Sequence, residues 1–277
     1  MFGAVPRRAG LALALLPLVL AMPAYAQTQP SSDLPQKFKL DAGGFRIASE
    51  TTLKYDLVGE GQTVDFENET ALPSNATTIW LDGTWRAGRR HQLSLNYTTS
   101  SRKGDRALDR EIHWGDQVFP VGVQVESEIS TDILTGYYRF ALFKNDRFEI
   151  GPTLGLGYLW LSAGLRTTVA AGGASASFGR AAETGSVTGD VGGYFEGWLG
   201  KRLVARGDLL YILVKPEGSE ASVTDGRLGL YFYPWRHIGI GAQYKYYKYR
   251  YDRTAAAAEL GGSIRVQGGQ VFASFLF

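Results

Sequence analysis

Side chains able to do chemistry are sparse in this chain. It has three histidines and no cysteine, so a thiol nucleophile, a disulfide and a Cys/His metal cluster are all excluded. His91 and His237 each sit beside a short turn. His113 is the more interesting one, because Asp109, Glu111 and Asp116 surround it in a long charged segment. A histidine flanked by carboxylates has the makings of a general base or a metal ligand. The simpler reading is a solvated charged loop, and no serine stands where its hydroxyl would meet such a base. No phosphate-cradling glycine loop appears either, so no catalytic residue, metal or cofactor is expected, and no enzyme.

The remaining reactive groups are charges that recur at every second position, opposite apolar residues. Ile79, Leu81 and Trp85 alternate with Trp80, Asp82, Thr84 and Arg86; Leu93, Leu95 and Tyr97 alternate with Gln92, Ser94, Asn96 and Thr98. This period belongs to β-strands with an oily face and a polar face. Further strands follow the same rule. Leu134, Tyr138 and Phe140 oppose Tyr137 and Arg139, while Phe148, Ile150, Leu154, Leu156, Tyr158 and Trp160 oppose a light face of Gly151, Thr153, Gly155 and Gly157. Val187, Val191, Phe195 and Leu199 oppose Asp190, Tyr194, Glu196 and Trp198. Leu203, Leu209 and Tyr211 oppose Arg206 and Asp208. A first strand, about 44–58, sets Phe45, Ile47, Leu53 and Tyr55 against Arg46, Glu50, Lys54 and Asp56. Over residues 238–251 the alternation slips after Tyr246, to Tyr247, Tyr249 and Tyr251, which points to a bulge or to the rim of a bilayer.

The connections alternate as well. Tight turns at 87–90, 143–147, 200–201 and 234–237 separate long segments at 59–75, 101–120, 170–185, 215–222 and 252–262. Nine connections join ten strands, with twelve as an alternative if 62–69 or 108–114 also pair, and eight as a third. The last strand carries Val271, Ala273, Phe275 and Phe277 on one oily face. An unprotected hydrophobic edge would invite pairing with other chains, and only closure into a barrel removes it.

The amino-terminal end has a different character. Arg7 and Arg8 precede an apolar run from Leu11 to Met22, after which Ala24 and Ala26 supply the small residues of a signal-peptidase site, so cleavage is expected after Ala26. That run is too short for a helical span, which takes about twenty residues. Without Arg7 and Arg8 the formal charge falls from +2 to zero, which leaves no basic surplus for nucleic acid. The 35 glycines, 15 tyrosines, 14 phenylalanines and 6 tryptophans suit aromatic girdles and lightened strands.

With this signal segment, the alternating strands and the Val271–Phe277 ending, the chain resembles the small bacterial outer-membrane β-barrel proteins; the run 61–67 is similar to a segment of uncharacterised members. The resemblance implies an all-β, single transmembrane antiparallel up-and-down barrel over 43–277, preceded by a periplasmic lead-in at 27–42. It implies location in the Gram-negative outer membrane, contact with outer-membrane lipid and lipopolysaccharide, and handling by the barrel-assembly machinery, which reads the terminal strand. A surface ligand would meet the long loops. Charges cannot face lipid at mid-depth, where each costs roughly 2–4 kcal/mol, so Arg46, Glu50, Asp82, Arg86, Arg139, Glu149, Asp190, Glu196, Arg206, Asp208, Arg227 and Lys245 are expected to form a network of opposite charges in the lumen. The expected role is structural or in surface interaction, with a narrow solute channel as the alternative and a surface hydrolase after that.

Overall fold

The computed structural model describes residues 37–56, 63–114, 116–145, 147–171, 174–214, 219–255 and 258–277. In chain order the elements are β1 (Phe38–Asp56), β2 (Thr63–Asp65), α1 (Phe66–Glu69), β3 (Asn75–Arg86), β4 (His91–Ala107), β5 (Ile112–Trp114), β6 (Gln117–Phe119), β7 (Gln124–Phe140) and β8 (Phe143–Lys144). Then come β9 (Phe148–Ala171), β10 (Ala174–Trp198), β11 (Leu203–Val214), β12 (Ser219–Phe232), β13 (Ile238–Ala255) and β14 (Ala258–Leu276). Ten of these, β1, β3, β4, β7 and β9 to β14, pair antiparallel with their neighbours in sequence order, and β1 pairs with both β3 and β14. The sheet therefore closes on itself. At the short-turn end the closure is sealed by Phe38 and Phe277, which exchange backbone hydrogen bonds of 3.0 and 2.8 Å.

The stretches that would have given a twelve-stranded barrel do pair, but not as barrel strands. β2 lies antiparallel on the upper part of β1, with Val64 opposite Leu53, and β5 and β6 form a separate hairpin. The β8 pair Phe143–Lys144 only extends the turn before β9.

Strands run well past the loop boundaries expected from the sequence. β9 and β10 pair continuously up to Ala171 opposite Ala174, so most of the Gly/Ala/Ser-rich 170–185 is ladder rather than loop. Backbone pairing needs no large side chains, and small residues hide a strand from any reading by alternation. At about 3.3 Å per residue and a tilt near 40°, the 24 residues of β9 rise about 60 Å. A membrane-spanning apolar band needs about 25 Å. The barrel thus has two storeys.

The storeys differ in which side is oily. In the lower storey, toward the short turns, Ile240, Tyr244, Leu228, Leu230, Leu154, Leu156 and Val271 are exposed on the outer wall, while Asp208, Arg227, Arg139, Lys245 and Gln270 are buried within. In the upper storey the sides exchange. Tyr247 and Tyr249 are buried inside β13 while Lys248 and Arg250 lie on the outer side; Val125, Ile129 and Ile133 of β7 are buried while Glu126 and Glu128 are exposed; Leu159, Leu161 and Leu165 of β9 are buried while Arg166 is exposed. No bulge causes this. β13 and β14 keep one register from Ile238↔Phe275 to Ala255↔Ala258. The slip seen after Tyr246 is therefore an inversion of polarity on a strand that has not changed phase.

The same inversion corrects the first strand. Leu53 is buried inside, with Ser49 and Thr51, whereas Glu50 is exposed on the outer wall. The expected assignment, apolar out and charged in, fails here because this part of β1 belongs to the upper storey. β1 also begins at Phe38, within the stretch read as lead-in. The residues expected to form a signal segment, Ala24 and Ala26 included, lie outside the described residues.

Candidate functional site

The barrel interior holds two contiguous layers: a charged lower lumen and, above it, an apolar mass. The lower layer is built by alternate residues of nearly every strand. Arg139 of β7 reaches Asp208 of β11 through Nε at 2.9 Å and Nη2 at 2.8 Å, and its Nη1 donates to Ser94 at 2.6 Å. Asp208 also faces Arg227 at 3.6 Å, and Arg227 lies 3.6 Å from Asp82. Asp82 accepts from Asn96 (3.2 Å) and Thr84 (3.1 Å) and has Lys39 at 3.9 Å.

Nearer the short turns, Arg86 grips Glu149 with two parallel bonds of 2.9 Å, and Lys144 adds a third contact at 2.9 Å. Gln92 donates to the same carboxylate. Glu196 takes Arg206, and lies 3.9 Å from Arg86. Lys39 pairs with Asp41, which accepts from Ser274 at 2.6 Å. Aromatic faces complete the packing. Arg206 lies 5.0 Å from the centre of Tyr231, and Arg227 lies 4.9 Å from that of Tyr137. The light face of β9 makes the room: a Cβ at Gly155 would stand 3.2 Å from both Asp190 and Tyr137.

Just below the apolar layer the pairing is less complete. Tyr137 donates to Asp225 at 2.9 Å, but the second oxygen of Asp225, one oxygen of Asp190, the Tyr247 hydroxyl and the Arg227 Nε are buried without a hydrogen-bond partner among the described residues. Lys245 is buried in the same layer, opposite Arg227 in the ladder. Donors and acceptors are both left over, which suits interior water.

The apolar layer is assembled from the connections as much as from the strands. Val64, Phe66 and Leu72 descend from the β1–β3 connection, and Leu108, Ile112, Trp114 and Phe119 from the β4–β7 connection. They pack on the inward Leu53, Val125, Ile129, Leu161, Leu165 and Ile264. Phe66 and Trp114 meet edge to face at 5.4 Å. Asp65 caps α1 by accepting from the Asn68 amide at 3.0 Å. Glu67 then turns down to Arg102 at 2.5 Å and accepts the Thr51 amide at 2.7 Å, which ties the segment to the inner wall. The approach is close: a Cβ on Gly104 would stand 2.7 Å from the backbone of Thr70 and Leu72.

Ten of the twelve charges expected in the lumen face it: Asp82, Arg86, Arg139, Glu149, Asp190, Glu196, Arg206, Asp208, Arg227 and Lys245. Glu50 does not. It bonds Arg265 at 2.8 Å on the outer wall. Arg46 stands opposite Gly269 and Thr77 in the ladders, and its side chain lies outside the described residues. Sequence reasoning missed Lys39, Asp41 and Asp225. The first two fell in the assumed lead-in; Asp225 precedes Arg227 by two, against Leu228 and Leu230, and that spacing was available. Val271, Ala273, Phe275 and Phe277 lie on the outer face of the last strand, with Val271 and Phe277 exposed. His113 sits on the β5–β6 hairpin with its Nε2 2.8 Å from Glu111, an exposed local contact.

No protein-family model and no curated protein sequence matches this chain. Among solved structures, it resembles the outer-membrane protease OmpT from Escherichia coli, with a TM-score of 0.57 at 10% identity over 91% of this chain and 100% of that one. A Pseudomonas aeruginosa FadL homologue (TM-score 0.36, 9% identity, 86% and 90% covered) and Ail of Yersinia pestis (0.28, 11%, 87% and 99%) superpose less well, and the comparison of folds rests on OmpT. The architecture is thus that of the small bacterial outer-membrane β-barrel proteins, closed with ten strands.

Proposed function

We propose that this chain is an integral outer-membrane barrel with a closed lumen, serving a structural or surface-interaction role rather than solute passage or catalysis. The observation that carries this reading is the apolar upper interior. A polar lumen alone is compatible with a water-filled channel, but one stopped by Phe66, Trp114, Phe119, Ile129 and Leu165, all almost completely buried, offers ions no hydrated path. The outward belt of leucine, isoleucine, valine and aromatic residues supports membrane insertion, with outer-membrane lipid and lipopolysaccharide as surroundings and the assembly machinery as partner during biogenesis. The contact of His113 with Glu111, two residues away on an exposed hairpin, supports a local, non-enzymatic role for that histidine. OmpT is named a protease, but at 10% identity the likeness extends to fold alone.

The test is conductance. Full-length protein reconstituted in planar bilayers is expected to give baseline current. Stable single-channel steps whose selectivity changes in Arg206→Ala would overturn the reading in favour of a narrow channel.

A further inference from the structure

At the short-turn mouth of the barrel the ion-pair network leaves a small pocket unfilled. It is lined by the last inward residues of the strands, with Lys39 and Arg86 on one side and Trp198, Arg206 and Tyr233 on the other. The ladders hold these residues at the final rungs: Lys39 stands opposite Leu276 and Thr84, Arg86 opposite Gln92, and Trp198 opposite Val204. The space measures about 20 Å³. One water-sized occupant needs about 10–15 Å³. A water or a monatomic ion therefore fits, and a phosphate or sulfate with its four oxygens does not.

The lining sets the sign of that occupant. Three cations, Lys39, Arg86 and Arg206, face one carboxylate, Glu196. That carboxylate is already shared, for Arg206 bonds one oxygen and Arg86 stands 3.9 Å from the other. Behind the lining Lys39 pairs with Asp41, and Arg86 and Lys144 both reach Glu149, so four cations of this group meet three carboxylates. Asp82, 3.9 Å from Lys39, belongs to the set of Asp82, Arg139, Asp208 and Arg227, which balances itself. The Trp198 N–H is buried without a hydrogen-bond partner among the described residues. An indole N–H can only donate, so it calls for an acceptor. The approach has the same sign. The short turns and their flanks expose Arg89, Arg90, Arg147, Lys201, Arg202 and Arg236. The acidic residues nearest to them in sequence, Asp33 and Asp146, lie outside the described residues; with the carboxylate after Phe277 they number three against these six. A mouth ringed by one sign of charge concentrates the opposite ion.

We propose that this pocket binds a single halide ion, chloride being the abundant one, held by Lys39, Arg86, Arg206 and the Trp198 N–H. The bound ion neutralises the surplus cation of the group and accepts charge-assisted hydrogen bonds from it. The site goes beyond the closed-lumen reading and does not depend on it, because the pocket lies at the mouth, below the apolar layer that stops the lumen.

The experiment unfolds the full-length barrel in urea at constant ionic strength, with chloride exchanged stepwise for gluconate, which is too bulky for the pocket. An ion that binds only the folded state lowers the unfolding constant by the factor 1 + [L]/Kd, so a Kd of about 10 mM gives about a tenfold drop at about 100 mM chloride, with saturation. The chloride NMR line should also broaden when folded wild type is added and sharpen again when bromide competes. Lys39→Met lowers stability in every salt by stranding Asp41, but its unfolding constant should no longer respond to chloride. Trp198→Phe, which keeps a ring and removes the donor, should lose most of the response. Lys103→Gln, on the outer wall, should respond as wild type does. Heat-modifiable gel shift confirms that each variant is folded. A response that does not saturate, or that survives in full in Lys39→Met, would mark a bulk salt effect and overturn the proposal. Wild type with neither a chloride response nor line broadening would overturn it too, and leave the pocket to water.

Discussion

Removing the Arg139 guanidinium separates a filled lumen from a solvated one. The side chains of Arg139 and Asp208 are 6% and 5% exposed, and their contact consists of two bonds to one carboxylate oxygen, at 2.9 and 2.8 Å. Arg139→Met keeps most of the volume and deletes the charge, leaving Asp208 with Arg227 at 3.6 Å as its remaining cation. Breaking a buried ion pair from one side costs about 3–5 kcal/mol. The retained Arg227 places this case near the lower end, about 3 kcal/mol, and the Ser94 hydroxyl keeps its contact with Thr84 at 3.1 Å. Asp208→Leu alone should cost a similar amount by orphaning Arg139. The double variant removes both charges and should recover most of the loss, for a coupling of about 2 kcal/mol or more. Urea unfolding of the barrel in lipid vesicles, followed by tryptophan fluorescence, measures all four corners of the cycle. If Arg139→Met costs less than about 1 kcal/mol, or if the two single changes simply add, the pair is solvated and the closed-lumen argument fails.

Two further predictions concern the upper storey. Gly104→Val drives a side chain into the backbone of Thr70 and Leu72; it should lower stability by about 1–3 kcal/mol and open 63–72 to protease, and unchanged cleavage would show that the segment does not pack on β4. Single cysteines replacing Ser101 and Val118, at the long-loop end, should react with an impermeant thiol reagent on whole cells, while one replacing Asn145 in a short turn should not. The reverse pattern would invert the orientation in the membrane.

Much of the lower storey was legible in the sequence. Period-two alternation gave the in-and-out assignment on β3, β4, β7, β9, β10, β11 and β12, because lipid outside and a charged lumen inside impose opposite demands on adjacent residues. Ten strands followed from the alternation of short and long connections. The partners of each charge were not legible: Arg139 meets Asp208 across 69 positions of sequence, and Arg86 meets Glu149 across 63, by closure of the barrel rather than by any local spacing. Nor was the apolar ceiling. Phe66, Trp114 and Phe119 are isolated aromatics in polar stretches, with no periodicity to announce that they are buried together.

The misreading of β1 and the shifted pattern on β13, of whose two explanations the rim holds and the bulge does not, share one cause, and it is informative. A strand reports only that its two faces differ; which face is oily depends on what surrounds that length of barrel. Where lipid surrounds it, burying charge inward lowers the free energy, and where water surrounds it, burying apolar side chains inward does so. A strand long enough to pass from one medium to the other must therefore exchange its faces without any change in its backbone. The exchange occurs between Tyr246 and Tyr247 on β13, between Thr135 and Ile133 on β7, and between Gly157 and Leu159 on β9. On the neighbouring β7 and β9 the two points are the same rungs of the ladder, Thr135 opposite Gly157 and Ile133 opposite Leu159. The tyrosine-rich run of β13, which in sequence looks like a broken pattern, is where this chain records the level of the membrane surface.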